Sequence, residues 1–281
     1  MTWHDRLSDD DLNAVRALYG PEVFRSGSHA LARDPGDPGL VGYLHVNTRG
    51  DAEGRPVAEL LVHPERRRQG IGTAMAESLL ERIAKRPLRI WSHGDHPGAA
   101  RLAEKFGLAR VRELLKLGLS LSDCPQLPVP SWPSGVRLRT FVPGQDEPDV
   151  VAVNHRAFDW HPEQGALTVD DIAAAEDESW FDPEGFFLAI DPEDRLLGFH
   201  WTKVHNLTPP VGEVYVVGVD PDAQGNGLGR ALTLAGLHHL HRAGLSEVIL
   251  YVEADNKPAL AVYQHLGFDT IETHAQYELA S

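Results

Sequence analysis

A glycine-rich turn occurs twice in the sequence and has the composition of an anion-binding site. Residues 224–229 read Gln-x-x-Gly-x-Gly, and residues 67–72 read Arg-x-x-Gly-x-Gly. Glycine lets a backbone approach a ligand closely, and the N–H groups of such a turn and of the helix after it then face an anion. Arg66, Arg68 and Arg230 add positive charge to a chain whose formal net charge is −15. The sequence therefore predicts two sites for a pyrophosphate that need no metal.

Taken singly, such a turn fits a tight loop or a dinucleotide-binding fold as well, although the G-x-G-x-x-G fingerprint is not cleanly met. The turn becomes specific because it recurs in register, each time after Val-x-Pro. Three segments of the first half match the second half in the same order, which indicates an ancient duplication. The matched pairs are 42–46 with 198–204, 62–74 with 219–231, and 93–108 with 253–268.

Val-x-Pro followed by Gln/Arg-x-x-Gly-x-Gly resembles the acetyl-CoA signature of the GNAT superfamily of N-acetyltransferases, and Asn256, Tyr263 and residues 266–268 resemble its second cofactor element. The resemblance implies an α/β fold, with an α+β mixed sheet in each of two tandem GNAT domains. It implies acetyl-CoA as co-substrate, with its pantetheine arm on a strand and its pyrophosphate over the turn, and no metal. The residues that it assigns to acetyl-CoA are Val217, Gly218, Val219, Gln224, Gly225, Asn226, Gly227, Leu228, Gly229, Arg230, Asn256, Lys257, Pro258, Ala259, Leu260 and Ala261 in the second half, and Leu60, Leu61, Val62, Arg68, Gln69, Gly70, Ile71, Gly72 and Thr73 in the first.

Longer runs of consecutive residues point to one family within the superfamily. Residues 161–165, 180–183, 198–205 and 212–220 are similar to the mycothiol synthase family, tandem GNAT enzymes of actinobacteria. That family transfers an acetyl group from acetyl-CoA to the cysteinyl amine of desacetylmycothiol, a Cys-glucosamine-inositol thiol, in the last step of mycothiol biosynthesis. The resemblance therefore implies a small thiol-sugar substrate. An N-acetyltransferase for another small amine, or a module that senses acetyl-CoA, stays open as an alternative.

The same resemblance implies substrate contacts in both halves. In the second half these are Glu163, Lys203, Glu213 and Tyr251. The family also uses an acidic residue in the first domain, but residues 27–29 read Gly-Ser-His at the nearest position. Ser28 is the expected replacement, with Glu22 as the alternative.

Glu213 is the candidate general base. It opens the strand that leads into the second glycine-rich turn, and strand alternation predicts that it shares a face with Tyr215, Val217 and Val219. A carboxylate there can take a proton directly or through water from an α-amine, which titrates near ~7.7–8.0. From the residues alone a surface charge at the end of the strand is the favoured interpretation, and the resemblance shifts the preference to the base.

Tyr263 is the candidate general acid for the departing thiolate. From the residues alone a core tyrosine on a short helix is the alternative. The first half lacks this chemistry, because Glu59, its nearby carboxylate, aligns with Val216 and has the opposite strand parity to Glu213. We therefore expect a degenerate first domain, structural or acetyl-CoA-binding, and a catalytic second domain. The gap-free alignment places Ala103, His96 and Pro56 at the positions of Tyr263, Asn256 and Glu213.

Each half shows the same order of elements around its turn. An apolar strand precedes the turn, an amphipathic helix follows it, and a strand, a short helix and a last strand come next. Strands that alternate with helices are typical of an α/β or α+β sheet domain. The predicted strands are 58–62, 88–91 and 111–119 in the first half and 214–219, 247–252 and 270–279 in the second, and the helices begin near Ile71 and Leu228.

A proline-rich stretch divides the 281 residues near their midpoint. Pro125, Pro128, Pro130 and Pro133 exclude a helix interior or a central strand, and predict a stiff extended linker. The expected domains are therefore residues 1–122 and 135–281, joined by a linker over 123–134. Two repeats of one domain can pack on each other, so we expect a monomer.

Composition limits the classes of partner and the compartment. A net charge of −15 disfavours general binding to nucleic acid or to anionic membranes. Cys124 is the single cysteine and the N-terminus has no apolar signal segment, so the expected location is the cytoplasm. The 15 histidines include three on one helix, His238, His239 and His241, of which only His238 and His241 share a face, and no cysteine or carboxylate cluster completes a zinc site.

Overall fold

The computed structural model describes residues 1–19, 27–34, 39–47, 50–51, 54–84, 86–122, 127–159 and 164–279. The chain folds into two compact units, of which the first is Met1–Leu114 with Glu272–Ser281 and the second is Leu115–Ile271. These bounds differ from a division at the proline-rich stretch, because the last strand of the chain joins the sheet of the first unit.

Twelve strands and seven helices are formed by the described residues. In chain order they are β1 (Thr2–His4), α1 (Asp9–Tyr19), β2 (Ser28–Arg33), β3 (Leu40–Asn47), β4 (Val57–Val62), α2 (Ile71–Arg82), β5 (Leu88–Ser92), α3 (Pro97–Phe106), β6 (Ala109–Ser120), β7 (Arg137–Thr140), α4 (Glu147–Ala157), α5 (Val169–Glu176), β8 (Phe186–Ile190), β9 (Leu196–His205), β10 (Val211–Val219), α6 (Leu228–Arg242), β11 (Glu247–Glu253), α7 (Lys257–His265) and β12 (Asp269–Leu279).

The first unit is a mixed sheet with helices on both faces. Its strands run in the order β1-β2-β3-β4-β5-β12, and only β4 and β5 are parallel. Helix α2 places Met75 and Leu79 against Leu44 and Ala58 in one buried cluster, as the four-residue spacing predicts. Helix α1 packs on the opposite face, where Tyr43 is buried.

The second unit repeats this plan. Its strands run in the order β6-β11-β10-β9-β8-β7, and β10 and β11 are parallel. Helices α6 and α7 cover one face through a leucine-rich cluster that includes Leu234 and Leu260. Helices α4 and α5 cover the other face, where Val153, Phe199 and Trp201 pack together. We call these the α6 face and the α4 face.

The closing strand of each sheet comes from a distant part of the chain. Residues 275–279 of β12 pair with residues 88–92 of β5 in the first unit. Residues 115–120 of β6 belong to the second unit, next to β11. The sequence assigned these strands to the first and the second half in chain order, and that assignment is wrong for both. Alternation shows that a segment forms a strand, but it does not show which strand will pair with it.

The described part of the proline-rich stretch, residues 127–133, forms neither helix nor strand. It packs on the second unit, because Leu127 is buried in the leucine-rich cluster and the carbonyl oxygen of Pro128 lies 3.0 Å from His238 Nε2. Cys124 lies outside the described residues. No helix in the described ranges combines the length and the apolarity that a membrane span requires.

His200 makes the stability of the second unit sensitive to acid. It is fully buried on β9, and its Nδ1 lies 2.7 Å from the carbonyl oxygen of Leu232 on α6. Burial lowers the pKa of His200 to about 4, whereas an unfolded histidine titrates near ~6.5. Between these values the unfolded chain binds a proton that the folded chain does not, so stability falls as the pH drops through this window.

We expect His200 to remove about 2 kcal/mol of unfolding free energy between pH 7 and pH 5. Urea unfolding of the wild type and of His200→Gln at both pH values measures this contribution. The variant should lose the corresponding part of the pH dependence. An equal pH dependence in both proteins contradicts the assignment to His200.

Candidate active site

The second unit contains a cleft where two parallel strands part. The ladder between β10 and β11 has only two pairs, Gly212 with Val248 and Glu213 with Ile249, whereas β10 continues to Val219. On its other side β10 pairs with β9 along its whole length. The cleft of about 690 Å³ lies beside the last part of β10, between the glycine-rich turn and α7. The edge of β10 is therefore open to a ligand that offers amide groups.

The glycine-rich turn leads into a helix whose N-cap residue, Gly227, has no side chain. Gly225 and Gly227 have φ values of 80° and 86°, a left-handed conformation that residues with a Cβ rarely adopt. Gly227 is the N-cap of α6 and carries no capping side chain. The N–H of Leu228 donates to Asn226 Oδ1 at 3.2 Å, and Arg230 lines the cleft. The helix N-terminus and the guanidinium together favour an anion.

Helix α7 supplies the opposite wall of the cleft. Asn256 is the N-cap of α7, since its Oδ1 accepts a hydrogen bond from Ala259 N at 3.2 Å. Tyr263 lines the cleft two turns further on and contacts Phe268 edge to face, with ring centroids 5.8 Å apart. Burial raises the pKa of Tyr263 to about 12. At neutral pH its hydroxyl therefore keeps the proton that a general acid must donate.

Most of the residues assigned to acetyl-CoA in the second half border this cleft. Gly218 does not, because it faces Phe199, and Lys257 donates to the carbonyl oxygen of Ala254 at 2.8 Å. Leu260 is part of the core, and Asn226 and Ala261 are also absent from the wall. Those that line it are Val217, Val219, Gln224, Gly225, Gly227, Leu228, Gly229, Arg230, Asn256, Pro258 and Ala259.

Glu213 lies at the point where the strands part. It is 6% exposed, and its Oε2 is 2.7 Å from His205 Nε2 on the neighbouring strand. On β9 its register partner is Lys203, and on β11 it is Ile249, the last parallel pair. Its side chain is not part of the cleft wall described above. His205 was not predicted from the sequence, because a contact between residues of paired strands depends on the register.

A β-bulge changes the face on which Glu213 lies. The ladder of β9 and β10 shifts between Val214 and Val216, so the alternation breaks at Tyr215. Val217 packs in the leucine-rich cluster on the α6 face, while Val216 packs on the α4 face. Glu213 bonds His205 on the α4 face. The prediction that Glu213 shares a face with Val217 and Val219 is therefore wrong, although it does share one with Tyr215.

The bulge also changes which residues of the two halves are equivalent. Gly42 pairs with Val62 in the first unit, and the equivalent pair in the second unit is Gly198 with Val219. When residues are counted back from these two pairs, the pair Lys203–Glu213 of the second unit corresponds to Asn47–Val57 of the first. The equivalent of Glu213 is thus Val57 and not Pro56, because the bulge adds one residue to β10. Glu59 still matches Val216, but the bulge places Glu213 on the same face as Val216. The predicted opposite parity of Glu59 is therefore wrong too.

Aromatic rings and a lysine lie near Glu213 on the α4 face. Lys203 Nζ is 4.8 Å from the ring centroid of Trp180 and 5.2 Å from that of Tyr215. Tyr215 is 40% exposed, and its ring lies 5.4 Å from that of Trp180. Tyr251 is exposed, two residues beyond Ile249 on β11, with Lys116 Nζ 5.8 Å from its ring. The structure thus brings Lys203 and Tyr251 to the face of Glu213, together with two rings that the sequence did not assign to a site.

The first unit has its own cleft, of about 380 Å³, beside β4 and the first glycine-rich turn. Arg68 has a φ of 64° at the position where the second unit has Gly225. Gln69 and Ile71 do not line this cleft. Its wall includes the assigned residues Leu60, Leu61, Val62, Arg68, Gly70, Gly72 and Thr73.

The other predicted substrate contacts, Ser28 and Glu163, do not lie among the described residues near Glu213. Ser28 is buried in the first unit, where it donates to Asp5 Oδ1 at 3.1 Å and accepts from Arg82 at 3.2 Å. Glu163 and its alternative Glu22 lie outside the described residues. No group of three or more potential metal ligands occurs in the ranges that the structure describes.

Comparison with known proteins places the chain in a family. The model of the Acetyltransferase (GNAT) family matches it twice, over residues 3–108 and 153–268. The solved GCN5-related N-acetyltransferase from Sphaerobacter thermophilus has a TM-score of 0.74 at 24% identity, covering 96% of this chain and 85% of that chain. A tandem GNAT protein from the clavulanic acid biosynthesis pathway has a TM-score of 0.68 at 23% identity, covering 96% and 94%. The predicted α/β fold with two tandem GNAT domains is confirmed.

Relatives with curated names identify the family within the GNAT acetyltransferases. A mycothiol acetyltransferase of Saccharomonospora viridis is 56% identical over 99% of this chain and 98% of its own length. One of Mycolicibacterium vanbaalenii is 47% identical over 98% and 96%. The chain therefore belongs to the GNAT acetyltransferases and, among them, to the mycothiol acetyltransferase family.

Proposed function

We propose that the second unit transfers the acetyl group of acetyl-CoA to the cysteinyl amine of desacetylmycothiol, Cys-GlcN-Ins, and releases CoA and mycothiol. The observation that carries this proposal is the position of Glu213. A buried carboxylate, bonded to His205 at 2.7 Å, lies where β10 and β11 part, with the cleft on one side and Lys203 on the other. The names of the relatives supply the substrate.

The cleft suits acetyl-CoA in three respects. The open edge of β10 at Val217 and Val219 offers backbone groups to the two amides of a pantetheine arm. The start of α6, where the N-cap Gly227 has no side chain and the backbone N–H groups of Gly227 and Gly229 lie nearby, suits a pyrophosphate. Arg230 adds a positive charge at the same end. Acetyl-CoA supplies the activated acyl group, and residues of the chain remove the proton from the amine and donate one to the departing thiolate.

Glu213 takes the proton from the attacking ammonium. The bulge points its carboxylate to the α4 face, so the acceptor approaches from that face and meets the thioester between the parted strands. The Nε2 atom of His205, at 2.7 Å, orients the carboxylate. An α-amine titrates near ~7.7–8.0, so the base has to shift a proton equilibrium only modestly.

Tyr263 donates a proton to the thiolate as the carbon–sulfur bond breaks. It lines the cleft from α7, and its raised pKa keeps it protonated at neutral pH. A thiol has a reference pKa of about 8.5, so transfer from the phenol to a free thiolate is uphill. The donation therefore occurs as a hydrogen bond that strengthens while charge develops on sulfur.

The α4 face binds the sugar part of the acceptor. The ammonium of Lys203 and the phenol of Tyr251 offer hydrogen bonds to hydroxyl groups. Tyr215 and Trp180 present aromatic rings on which the apolar face of a pyranose or cyclitol ring can pack. Glu163 and Ser28 stay proposed substrate contacts on the family resemblance alone, since Glu163 lies outside the described residues and Ser28 lies in the first unit.

We expect Tyr215→Leu to raise KM for Cys-GlcN-Ins about tenfold, the effect of losing about 1.4 kcal/mol of binding. Because Tyr215 does not take part in proton transfer, kcat should change less than about twofold. Steady-state kinetics at saturating acetyl-CoA measures both constants. Leu207→Ala, at another exposed apolar side chain, is the control and should leave both unchanged. A fall in kcat with unchanged KM contradicts a role in binding.

The composition supports a proposal for the location, the oligomeric state and the partners of the protein. We propose a cytoplasmic monomer that uses no metal and binds neither nucleic acid nor membranes. The single cysteine and the net charge of −15 support this assignment. We also retain residues 1–122 and 135–281 as the two domains in evolutionary terms, with the linker over 123–134.

One assay distinguishes this function from its alternatives. Purified protein is mixed with acetyl-CoA and, in separate reactions, with Cys-GlcN-Ins, GlcN-Ins, spermidine and an aminoglycoside, and the release of CoA is followed. We expect turnover with Cys-GlcN-Ins and at least tenfold less with GlcN-Ins, which lacks the cysteinyl amine. Turnover with another amine alone indicates a different acetyltransferase. Binding of acetyl-CoA without turnover in any reaction indicates a sensor.

A further inference from the structure

A small pocket adjoins the cleft of the first unit. Its volume is about 60 Å³, and it lies between the helices α2 and α3 and the strands β4 and β5. Leu60, Ser92, Ala99 and Leu102 line both the pocket and the cleft of about 380 Å³. A ligand in the cleft can therefore extend a group into the pocket.

The pocket lies at the end of the cleft where β4 and β5 part. The last parallel pair between these strands is Glu59 with Trp91, and Ile90 and Trp91 line the pocket. The glycine-rich turn lines the cleft at Gly70 and Gly72 but does not reach the pocket. A CoA thioester with its pyrophosphate over this turn therefore has its acyl group at the end where the pocket lies.

The second unit has larger side chains at the equivalent positions. The alignment of the two halves pairs Ala103 with Tyr263 and Leu108 with Phe268. In the second unit the two rings contact each other edge to face, and Tyr263 lines the cleft. In the first unit Ala103 and Leu108 both line the pocket. The space that two aromatic rings occupy in the second unit is thus partly empty in the first.

The wall of the pocket is mainly apolar. Along α2 and α6 from the matched turns, Ala76 corresponds to Thr233, so the first unit has a methyl group where the second has a hydroxyl. The hydroxyl of Ser92 is already bonded, because it donates to the carbonyl oxygen of Gly94 at 3.0 Å. The volume admits roughly four groups of the size of water, but water needs several polar partners. The pocket therefore suits methyl and methylene groups.

We propose that the cleft of the first unit binds an acyl-CoA with an apolar acyl chain of about four carbons, and that the pocket beside Ala103 holds this chain. Arg67, Arg68 and Arg101 line the cleft and suit the phosphate groups of CoA. The site retains the thioester, because alanine replaces the phenol that Tyr263 supplies in the second unit. This inference rests on CoA binding at the first glycine-rich turn and is independent of the acceptor of the second unit.

Titration calorimetry of the full-length chain with acetyl-CoA and with butyryl-CoA tests the pocket. Two more buried methylene groups should make butyryl-CoA bind to the first unit about tenfold more tightly than acetyl-CoA. Ala103→Phe fills the pocket and should remove about this tenfold preference. Ala100→Phe, at an exposed position of the same helix, is the matched control and should leave both Kd values unchanged.

A second variant fills the pocket from another side. Leu108→Phe introduces the ring that the second unit has at this position, and it should also weaken the binding of butyryl-CoA more than that of acetyl-CoA. Circular dichroism and Tm show whether each variant is folded. Because both substitutions are in the first unit, a loss that they share assigns the butyryl-CoA site to that unit.

The outcomes distinguish the pocket from the rest of the account. Equal affinity of the wild type for the two thioesters, or an equal effect of Ala103→Phe and Leu108→Phe on both, overturns the acyl pocket. Binding of one thioester per chain that neither variant alters shows that the first unit binds no CoA, and this also overturns the proposal. Failure of the wild type to use Cys-GlcN-Ins concerns the second unit and leaves the pocket standing.

Discussion

Glu213→Gln lowers kcat/KM for Cys-GlcN-Ins by roughly 10²–10³-fold, within the range that positioned acid–base groups contribute. Glutamine keeps the size of the side chain and a hydrogen bond to His205, but it cannot accept the proton of the ammonium. Stopped-flow or steady-state release of CoA measures the loss. Binding of acetyl-CoA should be unchanged, because Glu213 does not line the cleft.

The pH dependence of this variant distinguishes a base from a structural carboxylate. As the pH rises above the pKa of the amine, near ~7.7–8.0, the acceptor loses its proton to solvent and needs no base. The deficit of Glu213→Gln should therefore shrink with rising pH. Glu247→Gln, at an exposed carboxylate on β11, is the control and should match the wild type. A deficit that is constant across the pH range argues against proton transfer at Glu213.

Tyr263→Phe lowers kcat about 100-fold while the Kd of acetyl-CoA stays within about twofold. The phenylalanine keeps the ring against Phe268 but removes the hydroxyl that protonates the thiolate. Single-turnover kinetics gives the rate of the chemical step, and titration calorimetry gives the Kd.

A leaving thiolate that is more stable, and so depends less on protonation, tests the role of Tyr263 as general acid. With an acetyl thioester of a more acidic thiol, the thiolate is more stable, so the loss caused by Tyr263→Phe should become smaller. Tyr277→Phe, at a buried tyrosine of the first unit, should leave turnover unchanged. Unchanged kcat in Tyr263→Phe removes the phenol from the mechanism.

The parts of the site that follow from local chain geometry could be predicted from the sequence. The turn at Gly225 and Gly227 requires positive φ angles, and glycine spacing reports that requirement directly. The amphipathic start of α6 and the position of Tyr263 on α7 follow from helical periodicity. These features place one wall of the cleft without any knowledge of long-range pairing.

The parts that depend on pairing between distant segments could not be predicted. The bulge at Tyr215 has no signature in the sequence, yet it reverses the face of Glu213 relative to Val217. The contact of Glu213 with His205 follows from that register. Likewise, β12 pairs with β5 although the chain forms β6 to β11 between these two strands, and alternation carries no information about the partner strand.

The central claim is N-acetylation of the cysteinyl amine, and counting thiols during turnover tests it most directly. Each transfer to nitrogen releases one CoA thiol and leaves the thiol of Cys-GlcN-Ins free. The account therefore predicts one new titratable thiol per acetyl-CoA consumed, with the acetyl group on the cysteinyl nitrogen in the mass spectrum of the product. Consumption of acetyl-CoA with no net gain of thiol places the acetyl group on sulfur and contradicts the account.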